Sequence, residues 1–231
     1  MKERVFRFKH FEVKHSASPM KVGVDGVLLG AWAKVPERGT VLDAGTGCGL
    51  IALMIAQRCR CDIVGIDIDS NAIEEASFNF KKSPWNNRLQ ALNADFSTIA
   101  GQWNSIVSNP PFFDSGKVEQ SPRMMARHVG SLSPANILER APHILSECGI
   151  ISLIAPYDML EILKRRAAKF GLSLSRLLCV STVTGQSPKR VLCEFSRTFC
   201  EREVGYISIE KSPGCFTEEY ISLTRDFYLR F

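Results

Sequence analysis

Two short stretches carry residue types suited to chemistry rather than packing. Asp43-Ala44-Gly45-Thr46-Gly47-Cys48-Gly49 sets three glycines at alternate positions, with a carboxylate two residues before the first. Glycines let the main chain pass close to a ligand, and a helix starting there points free N–H groups at it. The spacing is G-x-G-x-G rather than the G-x-G-x-x-G of a dinucleotide turn, which disfavours a nicotinamide oxidoreductase. Asp67 follows Gly45 by 22 residues, near the separation at which a carboxylate accepts ribose hydroxyls. The second stretch is Asn109-Pro110-Pro111-Phe112. Two consecutive prolines remove two N–H donors and fix φ, so the carbonyls of Asn109 and Pro110 cannot be absorbed into a helix and remain available as acceptors. With the Asn109 side-chain oxygen they suit the two N–H groups of an amine, and Phe112 offers a face to a planar group. Plain structure has an alternative for each: turn residues satisfying local backbone, and Pro-Pro as a stiff corner with Phe112 in the core.

For these residues to converge, strands must deliver them to one edge. Residues 40–43, 62–67, 89–92, 105–108 and 149–155 read as short apolar strands, and 26–33, 50–58, 71–82, 134–145 and 158–170 as helices around them. Ser70 is the expected cap of the helix at 71–82, whose last turn holds Lys81 and Lys82. The alternation implies an α/β fold, a mostly parallel sheet with helices on both faces. In the last third, 172–181, 190–199 and 203–209 read as strands without full-length helices between them, an antiparallel C-terminal hairpin added at one edge. One domain is expected over 1–231, with a basic, aromatic arm and helix over 1–36 and a catalytic core over 37–231. Residues 116–131 form one long polar stretch, a length usual for a functional loop.

Asp43-x-Gly45-x-Gly47-x-Gly49 resembles the nucleotide loop of class I S-adenosylmethionine-dependent methyltransferases, and Asn109 to Phe112 resembles the NPP-aromatic signature of amino methyltransferases. The resemblance implies a Rossmann-like sheet of seven strands and S-adenosylmethionine as cofactor. Asp43, Gly45, Gly47, Gly49 and Asn109 would border it, Asp67 would take its ribose, and Asp95 would receive its adenine amine. An exocyclic amine is a poor nucleophile because its lone pair is delocalised into the ring. Bonds to the Asn109 side-chain oxygen and the Pro110 carbonyl would orient it toward an already activated methyl group, so catalysis is mainly proximity and orientation, with no strong general base. Pro111 and Phe112 complete the expected catalytic set.

Further blocks narrow the likeness. Phe6-Arg7-Phe8-Lys9-His10-Phe11, the run from Lys21 through Asp25 to Trp32, the stretch from Arg127-His128 to Leu132-Ser133, Pro188-Lys189-Arg190 and Leu223 to Leu229 together look like the bacterial valine tRNA adenine-N6 methyltransferases, nearly end to end. That likeness implies tRNA as partner and an anticodon-loop adenine as acceptor, with Lys21 and Asp25 closing over the methionine part of the cofactor. An ordinary surface Lys and a helix-capping Asp is the other reading of those two. Enzymes acting on guanine N2 of ribosomal RNA or on a release-factor glutamine would share every cofactor residue. A non-catalytic RNA-binding protein would need only the basic surface.

The composition allows all of this. The chain has 231 residues, 45% hydrophobic and 23% charged, with a net charge of +5, the profile of a folded domain large enough to bury a core without staples. Lys2, Arg4, Arg7, Lys9, Lys14 and Lys21 against Glu3 and Glu12 place most of that net charge in the first 21 residues. Basic residues interleaved with Phe6, Phe8 and Phe11 can follow a phosphate backbone and stack bases, so Arg7, Lys9 and Lys14, with Arg127, His128, Lys189 and Arg190, are candidate RNA contacts. The competing reading is an edge strand with Phe side chains inward and cations in water. The eight cysteines form no CxxC pair and have no His in ligand spacing, so no metal site is expected and they read as small buried hydrophobes. No apolar run approaches a membrane span. A cytoplasmic, monomeric enzyme without a membrane partner is expected.

Overall fold

Apolar runs that are buried on both faces end up at the centre of a sheet, and here they assemble an α/β sandwich. The structure, a computed structural model, describes residues 4–16, 22–111, 132–198 and 201–231. In chain order its elements are β1 (Val5–Arg7), β2 (Glu12–Lys14), α1 (Val24–Trp32), β3 (Thr40–Ala44), α2 (Leu50–Arg58), β4 (Asp62–Asp67), α3 (Ser70–Lys82), β5 (Leu89–Asn93), β6 (Trp103–Ser108), α4 (Pro134–Arg140), β7 (Leu145–Pro156), α5 (Leu160–Lys169), β8 (Ser173–Val183), β9 (Arg190–Ser196), β10 (Glu203–Ser212), β11 (Cys215–Phe216) and α6 (Glu218–Thr224).

The main sheet runs β11-β10-β8-β9-β7-β6-β3-β4-β5. The five strands from β5 to β7 are parallel. β9 then inserts antiparallel between β7 and β8. The resemblance implies seven strands and the sheet has nine: β10, the strand read at 203–209, adds parallel to β8, and β11, which no sequence pattern marked, turns back on β10. The extension holds because Ile207 and Ile209 of β10 pack with Tyr220 of α6 in a core cluster shared with α1 and α2. A second cluster fills the opposite face beneath α4 and α5.

Boundaries moved where capping chemistry decided them. Asp69, not Ser70, caps α3, its Oδ1 accepting from the Asn71 N–H at 2.9 Å. α4 stops at Arg140 rather than running to 145. Ala141–His143 tightens into a 3-10 turn containing Pro142, and β7 begins at Leu145, four residues ahead of the expected 149.

The N-terminal aromatics took the inward option. β1 and β2 form a separate two-stranded hairpin. Phe8 and Phe11 are buried and stack at 4.7 Å between ring centroids, and Phe8 stacks on Tyr228 at 5.9 Å. A Phe8–Tyr228 bridge joins the hairpin to the C-terminal segment.

Among the described residues no helix is long and apolar enough to cross a membrane, and no cluster of His, Cys, Asp and Glu could hold a metal ion. The seven described cysteines are free. Cys48, Cys59, Cys61, Cys179 and Cys193 are buried, and burial pushes the thiols of Cys48 and Cys193 up to about 12.

Candidate active site

β3 has β4 on one side and β6 on the other, so chain connections leave in opposite directions and a crevice opens beyond the carboxyl ends of β3 and β6. Both sequence signals lie at its lips: the glycine loop follows β3, and Asn109 follows β6.

The loop needs its glycines for backbone shape. Gly45, Gly47 and Gly49 have φ of 73°, 54° and 84°, the left-handed region. A Cβ on Gly49 would stand 2.5 Å from Cε1 of the buried Phe80 ring, and one on Gly45 would overlap Leu132 Cδ2. The loop closes when the Gly45 and Thr46 N–H groups both donate to Ile66 O at 2.9 Å. Gly49 then caps α2 without a side chain, and Asp43 takes over that task from beneath: its Oδ2 accepts from the Ala52 N–H at 3.1 Å and from Thr46 Oγ1 at 2.7 Å. Asp43 is fully buried rather than lining an open surface. Burial raises its pKa to about 7 against the lowering pull of those two bonds, with Asp67 adding a like charge.

Asp67 ends β4 and is half-buried. Gly47 donates its N–H to Oδ2 and Asp69 donates to Oδ1, both at 3.0 Å. Each oxygen keeps a further lone pair for a ligand hydroxyl. Asp95, half-buried after β5, accepts from the Ser97 N–H at 2.8 Å. Across the crevice the Ser108 hydroxyl donates to Ala44 O at 2.6 Å, binding the end of β6 to the start of the glycine loop. The next residue is Asn109, half-buried, followed by buried Pro110 and exposed Pro111. Two buried oxygens here, Asp43 Oδ1 and Asn109 Oδ1, have no hydrogen-bond partner among the described residues. Buried acceptors are rarely left so. A cofactor carrying a cationic amine and an acceptor amine with two N–H groups fit such a pair, so the residues present suit the implied cofactor.

The other expected residues are dispersed. Lys21, Phe112, Arg127 and His128 lie outside the described residues, as does the whole stretch 116–131. Asp25 lies in the first turn of α1 and accepts from Arg190 Nε at 2.9 Å, so one expected cofactor contact and one expected RNA contact form an ion pair with each other. Lys189 is exposed beside them. Arg7 pairs with Glu12 at 2.9 Å on the hairpin surface. Lys9 is not at the crevice: its Nζ donates to Arg225 O at 2.6 Å and to Phe231 O at 2.7 Å, and it shares a cleft with Gln57 and Arg58. Those two residues end α2, about 12 Å along the helix from the glycine loop at 1.5 Å per residue. Lys14 sits nearer the loop, through Asn79. The Asn79 Nδ2 donates to both Lys14 O and Cys48 O at 2.8 Å, and its Oδ1 accepts from the Lys14 N–H at 2.9 Å.

Thr46, Asn79 and Ser108 were not singled out from the sequence, since each is a common polar residue whose partner is remote. Gly65 did carry a signal: a glycine inside a strand marks a close approach, and a Cβ there would stand 2.6 Å from Thr46 Oγ1.

Residues 25–159 match the family model for the methyltransferase small domain. The chain belongs to that family. The methyltransferase is 41% identical over 238 residues to the tRNA1(Val) (adenine(37)-N6)-methyltransferase of Bacteroides fragilis, covering 100% of both chains. It is 39% identical to the protein of the same name from Aeromonas salmonicida, covering 97% of each. Among solved structures it superposes on one described as a predicted O-methyltransferase from Agrobacterium tumefaciens with a TM-score of 0.66 at 16% identity, covering 88% of this chain and 96% of that one. TYW2 of Pyrococcus horikoshii, solved in complex with MeSAdo, superposes with a TM-score of 0.60 at 16% identity, covering 85% and 72%. At such identities those structures show the fold, a class I methyltransferase sheet with its antiparallel additions.

Proposed function

We propose that this methyltransferase uses S-adenosylmethionine to methylate N6 of an adenine in tRNA, the adenine at position 37 of valine tRNA named for its relatives. The observation that carries the reading is the buried, unpartnered Asn109 Oδ1 beside a glycine loop, in a chain related over its full length to enzymes of that name. Gly45 to Gly49, Asp67 and Asp95 are the residues that would hold the cofactor, with Asp43 Oδ1 facing a cationic group. The bound cofactor supplies a methyl group already activated on a sulfonium. The protein's own share is placement. The Asn109 side chain accepts one N–H of the target amine, and the rigid Pro110 carbonyl accepts the other. That fixes the direction of the nitrogen lone pair and encourages pyramidalisation. The attacking nitrogen becomes cationic and sheds its proton to water, so no base of raised pKa is needed. An anticodon-loop base is already unpaired, which keeps the cost of bringing it into the crevice low.

The test is incubation of the purified protein with labelled S-adenosylmethionine and RNA from a strain lacking it, followed by nucleoside mass spectrometry. N6-methyladenosine at position 37 of valine tRNA is the expected product. Label in guanine N2 of ribosomal RNA, or in a protein fraction, overturns the assignment of the acceptor.

A further inference from the structure

β7 is longer than the strand beside it. The last residue of β6, Ser108, lies opposite Leu153, whereas β7 continues through Ile154, Ala155 and Pro156, which pair with Leu192, Val191 and Arg190 of β9. A two-stranded wall therefore rises past the carboxyl edge next to Asn109. Tyr157 stands on its rim. The Tyr157 N–H donates to Lys189 O at 3.2 Å, tying it to the start of β9, and the residue is 41% exposed. At about 3.3 Å per residue along β7 and about 4.8 Å between strands, the backbone of Tyr157 is about 11 Å from that of Asn109.

Other exposed aromatics are placed differently. Phe78 is covered by the ammonium groups of Lys14 and Lys82, at 5.1 and 4.6 Å from its ring. Tyr206 lies on β10, four strands from β6. Tyr157 is one strand from the loop after β6, and the residue whose carbonyl it bonds, Lys189, carries an exposed cation. Exposed Lys189 and Asp25-paired Arg190 line, with Thr182, a cleft of about 310 Å³ on the α1 side of the wall. An aromatic face with flanking cations suits one nucleotide of a single strand, base on ring and phosphate on charge.

We propose that Tyr157 is the stacking platform for a nucleotide next to the target adenine in the RNA loop, with Lys189 and Arg190 taking its phosphate. The inference rests on the RNA reading above and adds a residue that determines which loop is accepted. A neighbouring base held on the rim sets the register of the strand, so that one particular adenine reaches Asn109.

The experiment is steady-state methylation of an unmodified valine tRNA transcript by the full chain and by Tyr157→Ala and Tyr157→Trp, with S-adenosylhomocysteine binding measured in parallel. Tyr157→Ala is expected to raise KM for the transcript about 10-fold or more, the order lost with one base stack, while kcat and S-adenosylhomocysteine affinity stay within about twofold. Tyr157→Trp, which keeps a stacking face, is expected to restore KM. A KM for Tyr157→Ala equal to wild type, or Ala and Trp variants that lose equally, overturns the inference. Wild-type protein that methylates no tRNA overturns the proposed function and this inference together, so the two failures are distinguishable.

Discussion

The Ser108 hydroxyl donates to the carbonyl oxygen of Ala44 at 2.6 Å, and both residues are buried. These two residues are the last of their strands, and the chain directly after each forms one lip of the crevice. This bond continues the β3–β6 ladder to the last residue of each strand and helps hold the loop that would bind the cofactor against the loop that would bind the acceptor amine. Ser108→Ala leaves Ala44 O without this donor and should cost about 1–3 kcal/mol of stability. A larger loss is expected in kcat, because a misplacement of about 1 Å between reacting groups can cost on the order of 100-fold. Thermal unfolding and single-turnover methylation check this; a variant with lowered Tm and unchanged kcat would reduce Ser108 to a packing role.

Asn109→Ala removes a buried side-chain acceptor that has no partner among the described residues. Transfer should fall roughly 100- to 1000-fold, the range seen on deleting a preorganised hydrogen-bonding group. Binding of S-adenosylhomocysteine, measured by calorimetry, should survive. Near-wild-type turnover would remove Asn109 from the mechanism.

Asp43 predicts a pH dependence. Its folded-state pKa, about 7, lies above the ordinary 3.8 because burial disfavours the charged form. Between these values the folded chain binds the extra proton, so this group's contribution to stability is fully present below about 4. It declines as pH rises and is lost above about 7. Asp43→Asn can keep the acceptor for Thr46 and the Ala52 N–H yet cannot ionise. The difference in unfolding free energy between wild type and variant should therefore shift in the variant's favour from pH 4 to pH 7. A constant difference across that range would contradict it.

Lys9 should matter to stability, not to RNA. Its ammonium joins the hairpin to the C-terminal segment through Arg225 O and Phe231 O. Lys9→Ala should lower unfolding free energy by about 1–2 kcal/mol and leave KM for tRNA within about twofold. A strong KM effect with unchanged Tm would return Lys9 to the substrate surface.

Much of the candidate site was legible because its residues act through local backbone. Three glycines at alternate positions must adopt φ values that other residues resist, and two adjacent prolines strip donors wherever they occur, so both loops announce themselves in one dimension. The strand ends bearing Asp67 and Asp95 were legible for a similar reason, since apolar period and turn residues are properties of neighbours in the chain. Charge was not. Arg7, Lys9 and Lys14 form one basic run in the sequence, yet the fold sets Arg7 beside Glu12, Lys9 against the C-terminal segment and the Lys14 ammonium over the Phe78 ring. A cation's use depends on what lies within a few ångströms of its head group, and those partners are 5 to more than 200 positions away.

The sequence by itself determined the class of chemistry and the strands that deliver it, because glycine, proline and apolar period constrain φ, donors and burial residue by residue. Only the tertiary structure decided that β10 lies beside β8 and carries the sheet outward, that Ser108 bonds Ala44 across the two lips, and that Tyr157 stands at the end of a wall one strand from the loop of Asn109. Each of those is a contact between remote segments, created when strands take their order in the sheet and absent from any local pattern.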